Sequence, residues 1–213
     1  MILTSLIDQP LLLLAWALAV VFVLTIHEFS HALASTLLGD QTARLSGRLT
    51  LNPMSHVSWL GFLMLLIVGF GWGRPVPFNP YNMRNQRVGT ALVAFAGPLS
   101  NLIMAFLFGL LLKVFIVYSV LSPDNLLFQF INLLVAINLI LAVFNLIPIP
   151  PLDGSKILFS IMADVKYARF REFLEQRGPF ILLGVIILDN ILELNILGRF
   201  FLSIIDLVYS FIF

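Results

Sequence analysis

The sequence predicts an all-α polytopic membrane protein of about four to six transmembrane or re-entrant helices, joined in part by a small strand-like connecting segment. Three observations carry this. Hydrophobic residues fill 60% of the 213 positions and charged residues only 11%, against roughly 25% charged in an ordinary soluble domain. Several apolar runs reach the roughly 20 residues that a helix needs to cross a bilayer. The segments between them are short and rich in Gly, Pro, Asn and Arg, and none is long or polar enough for an independent soluble domain. Residues 1–213 therefore read as a single membrane-embedded domain.

The elements follow in chain order. Residues 1–9 carry no Lys or Arg, and the apolar run continues without a small-residue cleavage site, so no cleavable signal peptide is expected. Residues 10–38 form one long apolar segment, interrupted only by Thr25, His27, Glu28, Ser30, His31, Ser35 and Thr36. At about 1.5 Å per residue a helix of this length exceeds the hydrocarbon thickness, so it tilts or projects. Gly39 and Asp40 end it, and the pattern T-A-R-L-S-G-R-L-T-L within residues 41–56 alternates like a short strand pair. Residues 57–71 are apolar but only about 15 long, short for a crossing. Residues 72–89 are a loop with Arg74, Arg84 and Arg87. Residues 90–118 and 126–147 are long enough to span, with a turn at 122–125 between them. The stretch P-I-P-P-L-D-G at 148–154 breaks helix, because its prolines remove donors and clash with the preceding turn. Residues 156–177 are the most polar of the chain, an amphipathic or surface region, and 179–213 are apolar again with a break around 189–198.

The positive-inside rule chooses between two topologies. If 57–71 crossed, Arg44 and Arg48 would lie opposite Arg74, Arg84 and Arg87. If it dips in and returns, all five Arg share one side with the Lys and Arg of 156–177, and the turn at 122–125, which has none, lies opposite. The second arrangement is consistent throughout, so 57–71 is expected to be re-entrant, with an outside N-terminus and a cytoplasmic basic face. The net charge of +1 gives no reason to expect a nucleic-acid partner, and the absence of Cys excludes disulfides and thiolate ligands.

His27-Glu28-Phe29-Ser30-His31 matches H-E-x-x-H. Helical residues four apart lie on one face, so both imidazoles can bind one Zn²⁺, with Glu28 beside it as a general base. Two His and a Glu are costly to bury in a membrane helix and are functional by default. Catalytic zinc usually has three protein ligands, and Asp153, after the Pro-interrupted helix end, is the best candidate for the third. A plain P-L-D-G turn at a water interface is the alternative for Asp153; the presence of H-E-x-x-H turns the balance toward a ligand.

Together with Asn145-Leu146-Ile147-Pro148-Ile149-Pro150-Pro151-Leu152-Asp153-Gly154, the H-E-x-x-H segment resembles the paired signature of the site-2 protease (M50) family of intramembrane zinc metalloproteases. Ala96-Gly97-Pro98-Leu99-Ser100-Asn101 is similar to the A-G-P-x-x-N segment of that family, and residues 47–53 and 73–80 look like connecting segments of its compact bacterial members, which lack an inserted PDZ domain. The resemblance implies a metalloprotease domain holding one Zn²⁺ per chain on His27, His31 and Asp153. Glu28 and Asn145 would be its catalytic residues, with Asn145 holding the substrate or the oxyanion. It further implies a transmembrane protein substrate and a multi-pass position in the bilayer of a bacterial cell (inner) membrane.

His56 and Asn138 are secondary candidates. His56 begins the re-entrant segment and either approaches the metal or sits at the interface beside Trp59. Asn138 shares a helical face with Asn145 and either assists it or bonds between helices. Gly97, Pro98 and Asn101 read as packing and kink residues. A zinc carrier would need several polar sites across the bilayer, and only one is present. A non-catalytic scaffold would lack Glu28 or a ligand, and Glu172, Glu175 and Glu193 lack the apolar setting of a downstream Glu ligand. Substrate identity and oligomeric state are not readable from the sequence.

Overall fold

The computed structural model describes residues 9–68 and 71–212; the expectation about a signal peptide falls mainly on 1–8, outside them. Eight α-helices are described: α1 Pro10–Leu37, α2 Thr42–Leu45, α3 Trp59–Val68, α4 Gln86–Val117, α5 Leu126–Leu146, α6 Asp153–Ile161, α7 Ala168–Ile191 and α8 Ile196–Ile212. Three of them, α1, α4 and α5, are long and apolar enough to cross a membrane. The chain is an all-α membrane protein, as its composition requires.

Helices α1, α4 and α5 pack against one another and form the centre. Without a hydrophobic drive between helices in lipid, close approach needs small side chains. Ala19, Ala32, Ala94, Ala105 and Ala142 are all buried at these contacts, and Ala105 lies in a cluster with Leu112, Ile131, Val135 and Leu139. Most large apolar side chains, such as Leu14, Leu18, Phe106 and Leu110, point outward. In water that distribution would be unstable; in a bilayer it is the surface that meets lipid.

The ends of the helices are set by local chemistry. Gly39, at φ +107°, closes α1 in a Schellman arrangement: its N–H bonds Thr36 O at 3.2 Å while Asp40 N–H bonds Ser35 O at 2.9 Å. Asn85 caps α4 by accepting from Val88 N–H, and Asn125 caps α5 by accepting from Leu127 N–H.

The strand pair expected within 41–56 is corrected. Among the described residues the segment holds α2 and a 3₁₀ turn at Pro53–Ser55. Asp40 Oδ1 accepts from both the backbone and the hydroxyl of Thr42, which starts α2. Gly47, at φ +69°, then ends it with a second Schellman pair, Gly47 N–H to Arg44 O and Arg48 N–H to Ala43 O. Alternation of polar and apolar residues over so short a stretch was satisfied by one helical turn and its cap.

The ends of the apolar segment 57–71 meet. Val57 and Gly73 form an isolated antiparallel bridge, and Arg74 N–H donates to His56 O at 2.7 Å. Ends that meet are what a re-entrant segment requires, and α3, at ten residues, is half the length that a crossing needs. Asp40 then ties the following loop to the end of α1. It is fully buried and accepts from Asn79 N–H at 2.6 Å and Asn82 Nδ2 at 2.8 Å.

Candidate metal centre

His27 and His31 lie one turn apart on α1, ring centroids 4.6 Å apart and planes at 87°, and both are buried. Asp153 opens α6, directly after the Pro-rich break that ends α5, and is also buried. The three converge on one point. His27 Nε2 is 3.0 Å from His31 Nε2, and Asp153 Oδ2 is 3.2 Å and 3.0 Å from these two nitrogens.

Hydrogen bonding on the far side of each ring shows what this triangle can hold. His31 Nδ1 is 2.7 Å from Val93 O, which can only accept, so the proton sits on Nδ1. His27 Nδ1 is 3.1 Å from Asn101 Oδ1, as the carboxamide is oriented, and carries its proton in the same way. Both Nε2 atoms and Asp153 Oδ2 therefore turn lone pairs toward one another at 3.0–3.2 Å. Three facing lone pairs repel unless a cation lies among them. For zinc bonds of about 2.0–2.1 Å in a tetrahedron, neighbouring ligand atoms stand about 3.3 Å apart, close to the observed edges. The donor set, two neutral imidazoles and a carboxylate, also fits zinc. Among the described residues, His27, His31 and Asp153 are the group of three ligating side chains that meet in this way.

Four further residues shape the triangle, and the sequence reading did not assign them to it. Gly97 on α4 lies against both rings: a Cβ there would be 2.5 Å from His31 Nε2 and 2.7 Å from His27 Cε1. Next to it, Pro98 lacks the N–H that would bond Ala94 O, in the turn in which Val93 O accepts from His31. Asn101, four residues after Gly97 and fully buried, orients His27. The spacing G-P-x-x-N puts Gly97 and Asn101 on one helical face, the signal that could have linked them. Lastly, Lys156 Nζ donates to Asp153 Oδ1 at 2.9 Å, which occupies one carboxylate oxygen and leaves Oδ2 to the triangle. An i, i+3 pair from Asp153 to Lys156 was visible, but 156–177 reads as solvated surface.

Glu28 is buried, within electrostatic range of His27 and Asp153 and close to the Val76 backbone. Residues 73–76 pass over it: a Cβ on Gly73 would stand 3.4 Å from Glu28 Oε1. Asn145 lies in the last turn of α5, half-buried, with Nδ2 donating to Leu141 O at 3.0 Å. Asn138, fully buried, bonds Leu134 O in the same way at 2.7 Å.

His56 is not a member of the triangle. It is fully buried, whereas Trp59 is exposed. Its Nε2 bonds Thr50 O at 2.7 Å and its Nδ1 is buried without a partner. Burial pushes its pKa down, the bond to Thr50 acts against this, and nearby Arg48 adds to the depression. Arg48 itself is buried and donates to Ser55 O and Arg74 O, so it braces the joined ends of the apolar segment.

Residues 113–185 match Peptidase family M50, a stretch that includes Asn145 and Asp153. The chain is 42% identical over 137 residues to a protein named "Putative zinc metalloprotease YwhC" from Bacillus subtilis, covering 63% of each chain. It is 35% identical over 145 residues to "Putative zinc metalloprotease Rip2" from Mycobacterium tuberculosis, covering 62% of this chain and 51% of that one. A relative from Methanocaldococcus jannaschii, also named a putative zinc metalloprotease, is 36% identical over 99 residues, covering 46% of this chain and 49% of that one. The chain thus spans about half to just under two thirds of the length of these curated relatives. No solved structure matches it. The match over 113–185, these relatives and the paired motifs make the chain similar to peptidase family M50.

Proposed function

We propose that the chain is an intramembrane zinc metalloendopeptidase that hydrolyses a peptide bond in or near a transmembrane segment of a membrane protein. The observation that carries this reading is the triangle of three lone pairs 3.0–3.2 Å apart on His27, His31 and Asp153, with Glu28 on the same helix. These three residues would hold one zinc ion. The names of the relatives, putative zinc metalloproteases, agree with that metal.

When bound, zinc supplies Lewis acidity, polarising a carbonyl and bringing the pKa of water near neutrality. The chain's own groups do the rest. Val93 O and Asn101 fix the tautomers of His31 and His27, so that both Nε2 atoms stay available as ligands. Lys156 keeps Asp153 in one orientation. Glu28 accepts the proton of the attacking water and returns it to the leaving nitrogen. Asn145 exchanges its bond to Leu141 O for one to the peptide oxygen, where negative charge develops; such donors contribute about 3–4 kcal/mol in known cases. The substrate unwinds locally at the site and water arrives from the basic side, past the re-entrant segment. The setting is a bacterial cell membrane, with the basic face cytoplasmic.

The test is cleavage of a single-pass membrane protein by the purified chain in lipid vesicles. Wild type should cut within or beside the membrane segment and Glu28→Gln should not. Cleavage by Glu28→Gln at the wild-type rate would exclude the mechanism.

A further inference from the structure

A second concave feature lies beside the metal centre. Between the first turns of α4 and the chain from α6 to α7 is an open cavity of about 230 Å³, whose polar lining is Gln86, Arg87, Thr90, Lys156, Ser160 and Arg171. Its other walls are apolar, and no carboxylate lines it. Three cations therefore face one hollow. Among the described residues neither Arg87 nor Arg171 has an ion-pair partner, and Arg171 Nε is buried with no hydrogen-bond acceptor. Lys156 is partly satisfied by Asp153 and stands over the Phe78 ring at 5.7 Å. The hydroxyls of Thr90 and Ser160 donate to carbonyls of their own helices, so the cationic groups carry the binding potential.

Like charges gathered around one hollow repel, and a buried guanidinium N–H without an acceptor is a cost. One anion relieves both. The first turn of α4 carries no acidic residue, so the positive end of a 32-residue helix adds to the field. Guanidinium forks match the oxygens of a phosphate in bidentate geometry, and two of the three cations here are arginines. The place also suits it: α4, long and apolar enough to cross a membrane, begins here, the end of a span that faces lipid headgroups, and Val88 and Leu92 just beyond are exposed. With about 30 Å³ per water as a scale, the volume has room for a phosphate group and several waters.

We infer that this cavity binds a phosphate group, supplied by an anionic phospholipid headgroup or by soluble phosphate. The inference does not need the proteolytic reading: Lys156 is shared with the metal centre, but the test varies Arg87 and Arg171, which that centre does not use.

The experiment uses the full chain in zwitterionic detergent, with binding followed by thermal shift and native mass spectrometry. The probes are short-chain phosphatidylglycerol, diacylglycerol with the same chains, and inorganic phosphate. A phosphate-bearing probe should bind saturably at one per chain, and Arg87→Gln/Arg171→Gln should weaken it by about tenfold or more, as expected for lost charge-assisted contacts. Arg84→Gln, on the exposed loop outside the cavity, should leave it unchanged. Phosphatidylglycerol bound without competition from inorganic phosphate identifies the lipid as the source; binding of inorganic phosphate alone identifies the soluble anion. Equal binding of diacylglycerol, no saturable binding of either phosphate probe, or an affinity unmoved by the arginine changes would overturn the proposal. Arg87→Gln is measured alone as well. Arg87 is exposed, so an unchanged affinity there overturns the proposal even where the double variant fails to fold.

Discussion

Replacing Gly97 by Ala adds one methyl group at the closest contact between α4 and the H-E-x-x-H helix. In an ordinary helix interior this change is favourable by roughly 0.8–1 kcal/mol, because Gly is the poorer helix former. Here the new Cβ would lie 2.5 Å from His31 Nε2, 2.6 Å from His31 Cε1 and 2.7 Å from His27 Cε1, about 0.9 Å inside the 3.4 Å of ordinary contact at the nearest atom. Neither side yields easily. The rings are pinned by Val93 O and Asn101, and the glycine is part of the α4 backbone. Either α4 moves out by most of an ångström or the imidazoles rotate, and zinc ligation tolerates about 0.2 Å. Overpacking of this kind costs roughly 1–3 kcal/mol, which reverses the sign expected from helix propensity. Zinc affinity should fall by about 10–100-fold, the range seen when supporting groups of a metal site are altered. Competition with a chromophoric chelator in detergent gives the affinity and a melting curve gives the stability. Gly97→Ala that melts higher than wild type and binds zinc as tightly would refute the reasoning.

Other expectations rest on the supporting groups. Asn101→Leu removes the acceptor that fixes His27 and should weaken zinc binding by about 10–100-fold, with little loss of helix content by circular dichroism. Lys156→Met frees Asp153 Oδ1 and should also weaken zinc binding, by less than Asp153→Ala does in the same titration. Asp40→Ala leaves the donors of Thr42, Asn79 and Asn82 unpaired and should cost roughly 2–4 kcal/mol in chemical denaturation. Hydrogen bonds from those same groups outweigh burial and hold the Asp40 pKa below 3.8, so this stabilisation is present above about pH 4 and lost as pH falls below it. His56 has its pKa depressed below 6.5, so the unfolded chain binds the proton more readily. Its stability contribution is therefore full above about pH 6.5 and declines as pH falls toward the folded pKa, and His56→Gln should flatten melting temperature across pH 5–7.

The site was legible where chemistry depends on spacing within one segment. His27 and His31 at i, i+4 on an apolar helix, and an Asp after a proline break, are patterns that a membrane tolerates only with a purpose. The siding of five arginines led to the expectation that 57–71 returns to where it starts, and the bridge between Val57 and Gly73 shows its ends together. What could not be read were contacts made by packing between distant segments. Gly97 and Asn101 lie some seventy residues from His27, and only the approach of α4 to α1 turns them from packing residues into supports of the imidazoles. The strand reading of 41–56 failed because Asp40 and Gly47, which set the ends of α2, act through hydrogen bonds that alternation does not encode.

The central claim is that His27, His31 and Asp153 hold the metal while Glu28 handles the proton. Zinc content by mass spectrometry, measured beside cleavage for wild type, Glu28→Gln and Asp153→Ala, tests both halves together. The account predicts about one zinc per chain in wild type and in Glu28→Gln, with cleavage only in wild type, and loss of both zinc and cleavage in Asp153→Ala. Full zinc in Asp153→Ala, or cleavage by Glu28→Gln, would contradict it.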